Sequence, residues 1–188
     1  MSLPFTDAEA HEVILACSQA MSAIGTLDAL AEERNAALAA LHAHVVDVAG
    51  RVGAVVPPIT TLEGAASGSR AVAGASRDQR HALRATLADL LVDVRADRPP
   101  DSLLDDAIDV APAEIPPAPR GPAEGLEAPD LLRLHAELRK WAGIHFGQAL
   151  DDLTDGLTRL RVLVADRRTP GWEELASTLD RAIARLSP

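Results

Sequence analysis

Apolar residues recur alternately every three and four positions between residues 10 and 55. Thirteen of the fourteen positions in this series are apolar, and the exception is Arg34. The series consists of Ala10, Val13, Cys17, Ala20, Ile24, Leu27, Ala31, Arg34, Leu38, Leu41, Val45, Val48, Val52 and Val55. Because a 3.5-residue repeat keeps one stripe facing a neighbouring helix, the pattern predicts a long helix with coiled-coil-like packing. Gly25 and Thr26 do not shift the phase of this stripe, so we expect one long helix over about 8–55, or two collinear helices, rather than a tight hairpin.

A second long apolar stripe predicts a helix over about 130–166. The stripe changes phase at Gly143 and Gly147, where we expect a kink or a close helix contact. Its members are Leu131, Leu134, Leu138 and Trp141, followed by Phe146, Leu150, Leu153, Leu157, Leu160 and Val164.

Shorter helices are predicted at 76–96, 102–110 and 170–186 from their apolar spacing and capping residues. Residues 61–75 fit a helix or a loop equally well, since their glycines and serines suit both. Pro57 and Pro58 are expected to end the first helix. No segment alternates polar and apolar residues for long enough to predict a strand. The expected fold is therefore all-α, an elongated bundle of five or six helices.

Proline divides the chain, because residues 111–129 contain six prolines. Such a segment is typical of an extended, semi-rigid linker. It is also acidic, since residues 97–130 hold nine acidic and two basic residues. We therefore expect an N-terminal helical region at 1–110, a linker at 111–129, and a C-terminal region at 130–188 that packs on the N-terminal helices. The linker is either a tether or a docking segment for another protein.

Composition excludes several classes of protein. The 188 residues carry a net charge of −10, which repels a nucleic-acid backbone. A single cysteine excludes a disulfide framework and a multi-thiolate zinc site. The acidic N-terminus lacks the apolar region of a signal peptide, and no uninterrupted apolar run reaches the length of a membrane span. We expect a cytoplasmic protein that binds neither nucleic acid nor membrane.

Histidine and carboxylate spacing does not predict a metal site. His44 with Asp47, and Asp78 with His81, share helix faces, but each pair supplies only two ligands. No glutamate lies three residues before any of the six histidines, as a di-iron bundle requires. Cys17 lies in the apolar stripe, where a free cysteine behaves as a small hydrophobe. We therefore expect no cofactor, metal or catalytic residue.

The sequence suggests two groups of interaction residues. Arginine and aromatic residues dominate binding hot spots, and they are concentrated at 139–146, although a helical core uses the same aromatic residues. Arg34 interrupts the first stripe, where a charge either specifies a partner or extends past the stripe to water. The candidates are Arg34, Leu38, Leu41, Val45, Arg139, Lys140, Trp141, His145 and Phe146.

These features predict a non-enzymatic helical module that binds a protein partner or a second copy, as an adaptor, a scaffold or a subunit of an assembly. The alternative is a small-molecule sensor with a pocket near Trp141 and Phe146. An enzyme that uses His44, Asp47 and His145 ranks last, because polar side chains are spread along the helices rather than grouped in a pocket.

Overall fold

The computed structural model describes residues 5–56, 77–96, 112–122, 125–165 and 172–186. Of these residues, 85% are helical and none forms a strand, which confirms the all-α prediction. The described helices are α1 (Asp7–Val52), α2 (Arg77–Ala96), α3 (Ala128–Ala165) and α4 (Trp172–Leu186).

The predicted number of helices is not reproduced, since the described residues form four helices rather than five or six. The difference arises from two segments of the sequence. The short helix predicted at 102–110 and the undecided segment 61–75 both lie outside the described residues.

A capping box starts α1. The Thr6 hydroxyl accepts a hydrogen bond from the Glu9 backbone N–H at 3.3 Å, and the Glu9 carboxylate accepts one from the Thr6 N–H at 2.8 Å. This reciprocal pair satisfies two N–H groups that have no partner within the helix.

At its other end, α1 stops at Val52, three residues before the predicted boundary. Gly53 has a φ of +69°, and the Ala54 N–H donates to the Ala49 carbonyl at 2.9 Å. This is a Schellman motif, which glycine favours because it adopts a left-handed conformation without strain. The helix therefore ends at a glycine and does not reach Pro57.

The helix α3 begins at Ala128, so the predicted linker includes the first residues of a helix. Pro129 is accommodated because the first helical turn does not need its missing N–H. The Asp130 carboxylate accepts a hydrogen bond from the Glu127 N–H at 3.2 Å and satisfies the start of α3.

The chain forms two compact units that do not follow its sequence order. Unit 1 comprises 1–26, 73–113 and 149–188, and unit 2 comprises 27–72 and 114–148. Segments of α1 and α3 contribute to each unit. This grouping does not test the predicted boundaries at 110 and 130.

The core of unit 1 takes side chains from all four helices. The largest of its fully buried side chains are Val13, Ile14, Ile24, Leu87, Leu153, Leu157, Leu160 and Leu179. In α2, the apolar spacing of the sequence places Leu83, Leu87, Leu90, Leu91 and Val94 on one side. The last four are buried and Leu83 is half-buried. Periodicity therefore located the inward face of this helix correctly.

Burial along α1 is wider than the predicted stripe. The stripe is buried from Ala10 to Leu41, apart from the half-buried Ala31 and Arg34, but Val52 and Val55 are exposed. Ile14 and Leu30, which lie outside the stripe, are fully buried. A coiled-coil seam with two apolar positions in each heptad therefore does not account for the burial along α1.

By length and composition α1 also meets the requirements of a membrane-spanning helix. However, 56% of the residues in its most apolar 18-residue window are buried inside the protein. The core helix of a soluble protein has the same properties, so this observation gives only weak evidence for a membrane location.

Candidate interaction site

All nine predicted interaction residues belong to unit 2. In this unit, the part of α1 from residue 27 and the part of α3 up to residue 148 accompany an extended segment, residues 114–122, which we call the docked segment. A small apolar cluster of Leu41, Leu126 and Leu134, with Leu131 against it, joins these parts.

Trp141 holds the docked segment from α3. Its indole Nε1–H donates a hydrogen bond to the backbone carbonyl of Pro116 at 3.2 Å. The rest of the indole is buried, and the ring of His145 lies against it with the ring centroids 5.5 Å apart. Trp141 therefore has two roles, since its ring fills the core and its N–H binds a backbone carbonyl.

Glu33 holds the same segment from α1. Its Oε1 accepts a hydrogen bond from the Ala118 backbone N–H at 2.9 Å, and its Oε2 accepts one from the Arg120 guanidinium at 2.7 Å. Hydrogen bonds to an ionised carboxylate are stronger than those between neutral groups. One carboxylate thus binds both a backbone amide and a cation of the docked segment.

The docked segment ends at a turn that packs on α3. Gly121 has a φ of +74°, and a β-carbon there would lie 3.0 Å from the Leu134 Cδ2 atom. Just before Gly121, the Arg120 carbonyl oxygen lies 3.3 Å from His44 Nε2 of α1, and after the segment Arg51 of α1 donates to the Leu126 carbonyl at 2.6 Å. These contacts hold the C-terminal part of the segment against α1.

Arg34 reaches the surface and also lies against the core, since its Nη2 donates a hydrogen bond to the Oδ1 of the exposed Asn35 at 3.4 Å. It is half-buried, and its guanidinium carbon lies 5.5 Å from the centroid of the buried Phe146 ring. A cation over an aromatic face is attracted by the ring's electron density. Arg34 and Phe146 therefore pair inside unit 2.

The other predicted interaction residues differ in exposure. Leu38 and Leu41 are both only 1% exposed, and Val45 is half-buried. Arg139 and Lys140 are exposed. Of these five residues, Arg139 and Lys140 are therefore the exposed ones.

The exposed side of α3 also carries apolar and small residues. Leu132 is 75% exposed and Ile144 is 53% exposed. A β-carbon on Gly143 or Gly147 would meet nothing within 4 Å, so the predicted close contact at these glycines is wrong. We call Leu132, Lys140, Gly143, Ile144 and Gly147 the α3 face.

A shallow groove of about 390 Å³ runs beside the docked segment. Its lining residues are Glu33, Ile115, Pro117, Ala118 and Arg120. It contains neither Trp141 nor Phe146, which are buried. This groove of the described residues is therefore not the pocket that the sequence predicted near Trp141 and Phe146.

The side chains of the enzyme hypothesis, His44, Asp47 and His145, do not share a contact in the structure. The residues of the third hypothesis make separate contacts: His44 near Arg120, Asp47 with Arg51 at 2.9 Å, and His145 against Trp141. In the described ranges, no group of three or more His, Cys, Asp or Glu side chains is placed to hold a metal ion. Burial raises the pKa of the Cys17 thiol to about 12, so this cysteine is a poor nucleophile.

Comparison of the chain with protein-family models, curated proteins and solved structures found no match. The site is therefore interpreted from its geometry alone.

Sequence reasoning missed Glu33 and the docked segment. Glu33 and Ala118 are 85 positions apart, so no local spacing indicates their hydrogen bond. The available signal was chemical: an extended proline-rich segment has backbone carbonyls that need donors, and a tryptophan on the adjoining helix supplies one.

Proposed function

We propose that the protein is a non-enzymatic helical protein–protein interaction module, acting as an adaptor, a scaffold or a subunit of a larger assembly. The observation that carries this proposal is the α3 face, where Leu132 and Ile144 present apolar surface beside two unobstructed glycines. Glycines on a helix surface allow the backbone of a second helix to approach closely. The expected ligand is therefore a helix.

Charge favours a helix that carries carboxylates. Arg139 and Lys140 are exposed next to the apolar residues of the α3 face. Complementary charges speed association and exclude partners of the wrong sign. The proposed setting is the cytoplasm, with neither nucleic acid nor membrane as the partner, because a chain with a net charge of −10 is repelled by phosphate groups.

The single lysine of the chain makes this proposal testable, because Lys140 lies within the α3 face. An amine-reactive cross-linker has only this side chain and the N-terminus to modify. Cross-linking in an extract of the source cells should join a protein to Lys140. Ile144→Glu should abolish that product, whereas Val162→Glu, at an exposed valine of unit 1, should leave it unchanged.

Light scattering after size exclusion, at two concentrations, determines whether the partner is a second copy. A mass of twice 19.8 kDa or more that Ile144→Glu reduces to the monomer would show self-assembly through the α3 face. A monomer that forms no Lys140 product, or a product that Ile144→Glu leaves intact, contradicts the proposal.

A further inference from the structure

The docked segment is held in the way that a peptide ligand is held. Its contacts comprise one backbone carbonyl bound by Trp141, one backbone N–H bound by Glu33, one cation on the same carboxylate, and one small buried side chain, Ala118. In two of these contacts, the atom that the segment supplies belongs to its backbone. Binding modules for proline-rich peptides likewise use aromatic side chains to hold the peptide.

The chemistry of the segment suits binding without a large entropic cost. Residues 116–120 read Pro-Pro-Ala-Pro-Arg, and proline fixes its own φ and lacks an N–H. Such a segment is extended before it binds, so little conformational freedom is lost on binding. The groups that bind it lie on helices, which hold Glu33 and Trp141 in place.

Much of the docked segment is also exposed to solvent. Glu114, Pro116, Pro117 and Arg120 are exposed, whereas Ala118 is buried with only 5% exposure. The groove of about 390 Å³ is lined by Glu33 and, on the segment itself, by Ile115, Pro117, Ala118 and Arg120. Most of the described side chains at 114–120 are therefore accessible to solvent.

We propose that Glu33 and Trp141 form a binding site for a proline-rich segment of a partner protein, with the pattern Pro-x-Ala-x-Arg, and that residues 114–122 occupy this site as an internal ligand. The partner supplies a carbonyl for Trp141, a small residue with a free N–H, and an arginine for Glu33. This site goes beyond the helix-binding α3 face, and either surface can fail its test without the other.

Because residues 114–122 occupy the site, a test of peptide binding must overcome competition by this internal ligand. A tethered segment acts at an effective concentration of about millimolar, so a free peptide must compete with it. Binding should therefore be weak in the unaltered chain and strong in a chain whose own segment is repelled. Ala118→Asp with Arg120→Glu places two carboxylates beside Glu33 and should release the segment. We call this double variant the repelled chain.

The measurement uses the emission of Trp141 in the full chain. Trp172→Phe leaves Trp141 as the only tryptophan, and the chain contains no tyrosine. The probe is a synthetic peptide with the sequence of residues 114–122. It is titrated into the Trp172→Phe chain and into the same chain carrying Ala118→Asp/Arg120→Glu. We expect binding at least tenfold tighter in the repelled chain, seen as a blue shift of Trp141 emission.

Matched variants identify the contacts. Glu33→Gln in the repelled chain should weaken peptide binding at least tenfold, and Glu32→Gln, at the exposed neighbouring position, should not. A peptide with glutamate in place of its arginine should not bind. A repelled chain that keeps its helical circular dichroism but shows no change with 2 mM peptide, or an equal affinity in Glu33→Gln, overturns the proposal.

Hydrogen exchange on the unaltered chain tests the same proposal if the repelled chain does not fold. The Ala118 amide should exchange at least 100-fold faster than the Leu38 amide of α1, because the segment opens without global unfolding. Equal rates would show that the segment is a fixed part of the fold and would overturn the proposal. A dimer that Ala118→Asp/Arg120→Glu converts to a monomer would also overturn it, since the ligand would then be a second copy.

Discussion

Gly156 of α3 lies so close to Ala20 of α1 that a β-carbon on Gly156 would be 3.0 Å from the Ala20 backbone nitrogen. The Ala16 carbonyl oxygen would be only 3.2 Å from the same β-carbon. Both neighbours are backbone atoms, which cannot rotate away as a side chain can. This contact within unit 1 depends on glycine.

Gly156→Ala is therefore expected to destabilise the protein by about 1–3 kcal/mol, the usual cost of overpacking a tight core. Gly143→Ala is the matched control, because nothing lies within 4 Å of its β-carbon position. That change should stabilise the protein by up to about 1 kcal/mol through helix propensity. Urea unfolding followed by circular dichroism measures both changes, and equal effects would contradict the assigned contact.

Leu38→Asp should unfold the protein or cost more than about 4 kcal/mol, because it creates a cavity and buries a carboxylate without a partner. Leu38 is 1% exposed, so a loss of stability is expected rather than a simple loss of self-association. Ala39→Asp, at the exposed next position, is the control and should change stability little. A stable Leu38→Asp monomer obtained from a wild-type dimer would instead place Leu38 at an intermolecular seam.

The predictable part of the fold is the part that local periodicity governs. Leu87, Leu90 and Leu91 were assigned to the inner side of α2 because apolar residues repeat at helical spacing, and they are buried. The length of α1 was predicted to within two residues, and its C-terminal boundary was placed three residues too far along because Gly53 was not considered as a helix-ending residue.

Contacts between distant segments were not predictable in this way. Trp141 was among the predicted interaction residues, yet its hydrogen bond to Pro116 depends on how the linker packs against α1 and α3 within unit 2. The glycines of α3 show the same limit. A kink or a close helix contact was predicted at Gly143 and Gly147, because the apolar stripe changes phase there. The close contact lies instead at Gly156, where the facing residues of α1 are alanines.

The ion pair of Arg161 and Asp180 should make stability depend on acidity. The Arg161 guanidinium donates a hydrogen bond to Asp180 at 2.7 Å, and this bond, with the attraction between the charges, lowers the pKa of that carboxyl below its ordinary value of 3.8. A lowered pKa contributes stability that is fully present above the ordinary value and is lost as the pH falls through the folded-state value.

Asp180→Asn should therefore lower the melting temperature slightly at pH 6 and have progressively less effect below pH 4. The effect is small because the pair lies at the surface, where ion pairs contribute little. Thermal unfolding of both proteins between pH 6 and pH 2 measures it. A difference that grows on acidification would have the wrong sign for this ion pair.

Cys17 should resist modification in the folded protein. With a pKa of about 12, the thiolate fraction at pH 8 is about one in ten thousand, and the side chain is buried. A thiol-specific reagent should react with Cys17 only as fast as the protein opens, and within the dead time of mixing in 6 M guanidinium chloride. Rapid labelling of the folded chain would contradict the burial of this residue.

The hydroxyl of Thr26 hydrogen-bonds with two separate parts of unit 1. It donates to the Ser22 carbonyl at 3.0 Å and accepts from the Ala113 N–H at 3.0 Å. Valine has nearly the same shape, and it fits the α1 helix about as well. It would nevertheless remove the acceptor of the Ala113 amide. Thr26→Val is therefore conservative in size and helix propensity but not in its effect. The hydrogen bond that it removes belongs to a residue 87 positions away.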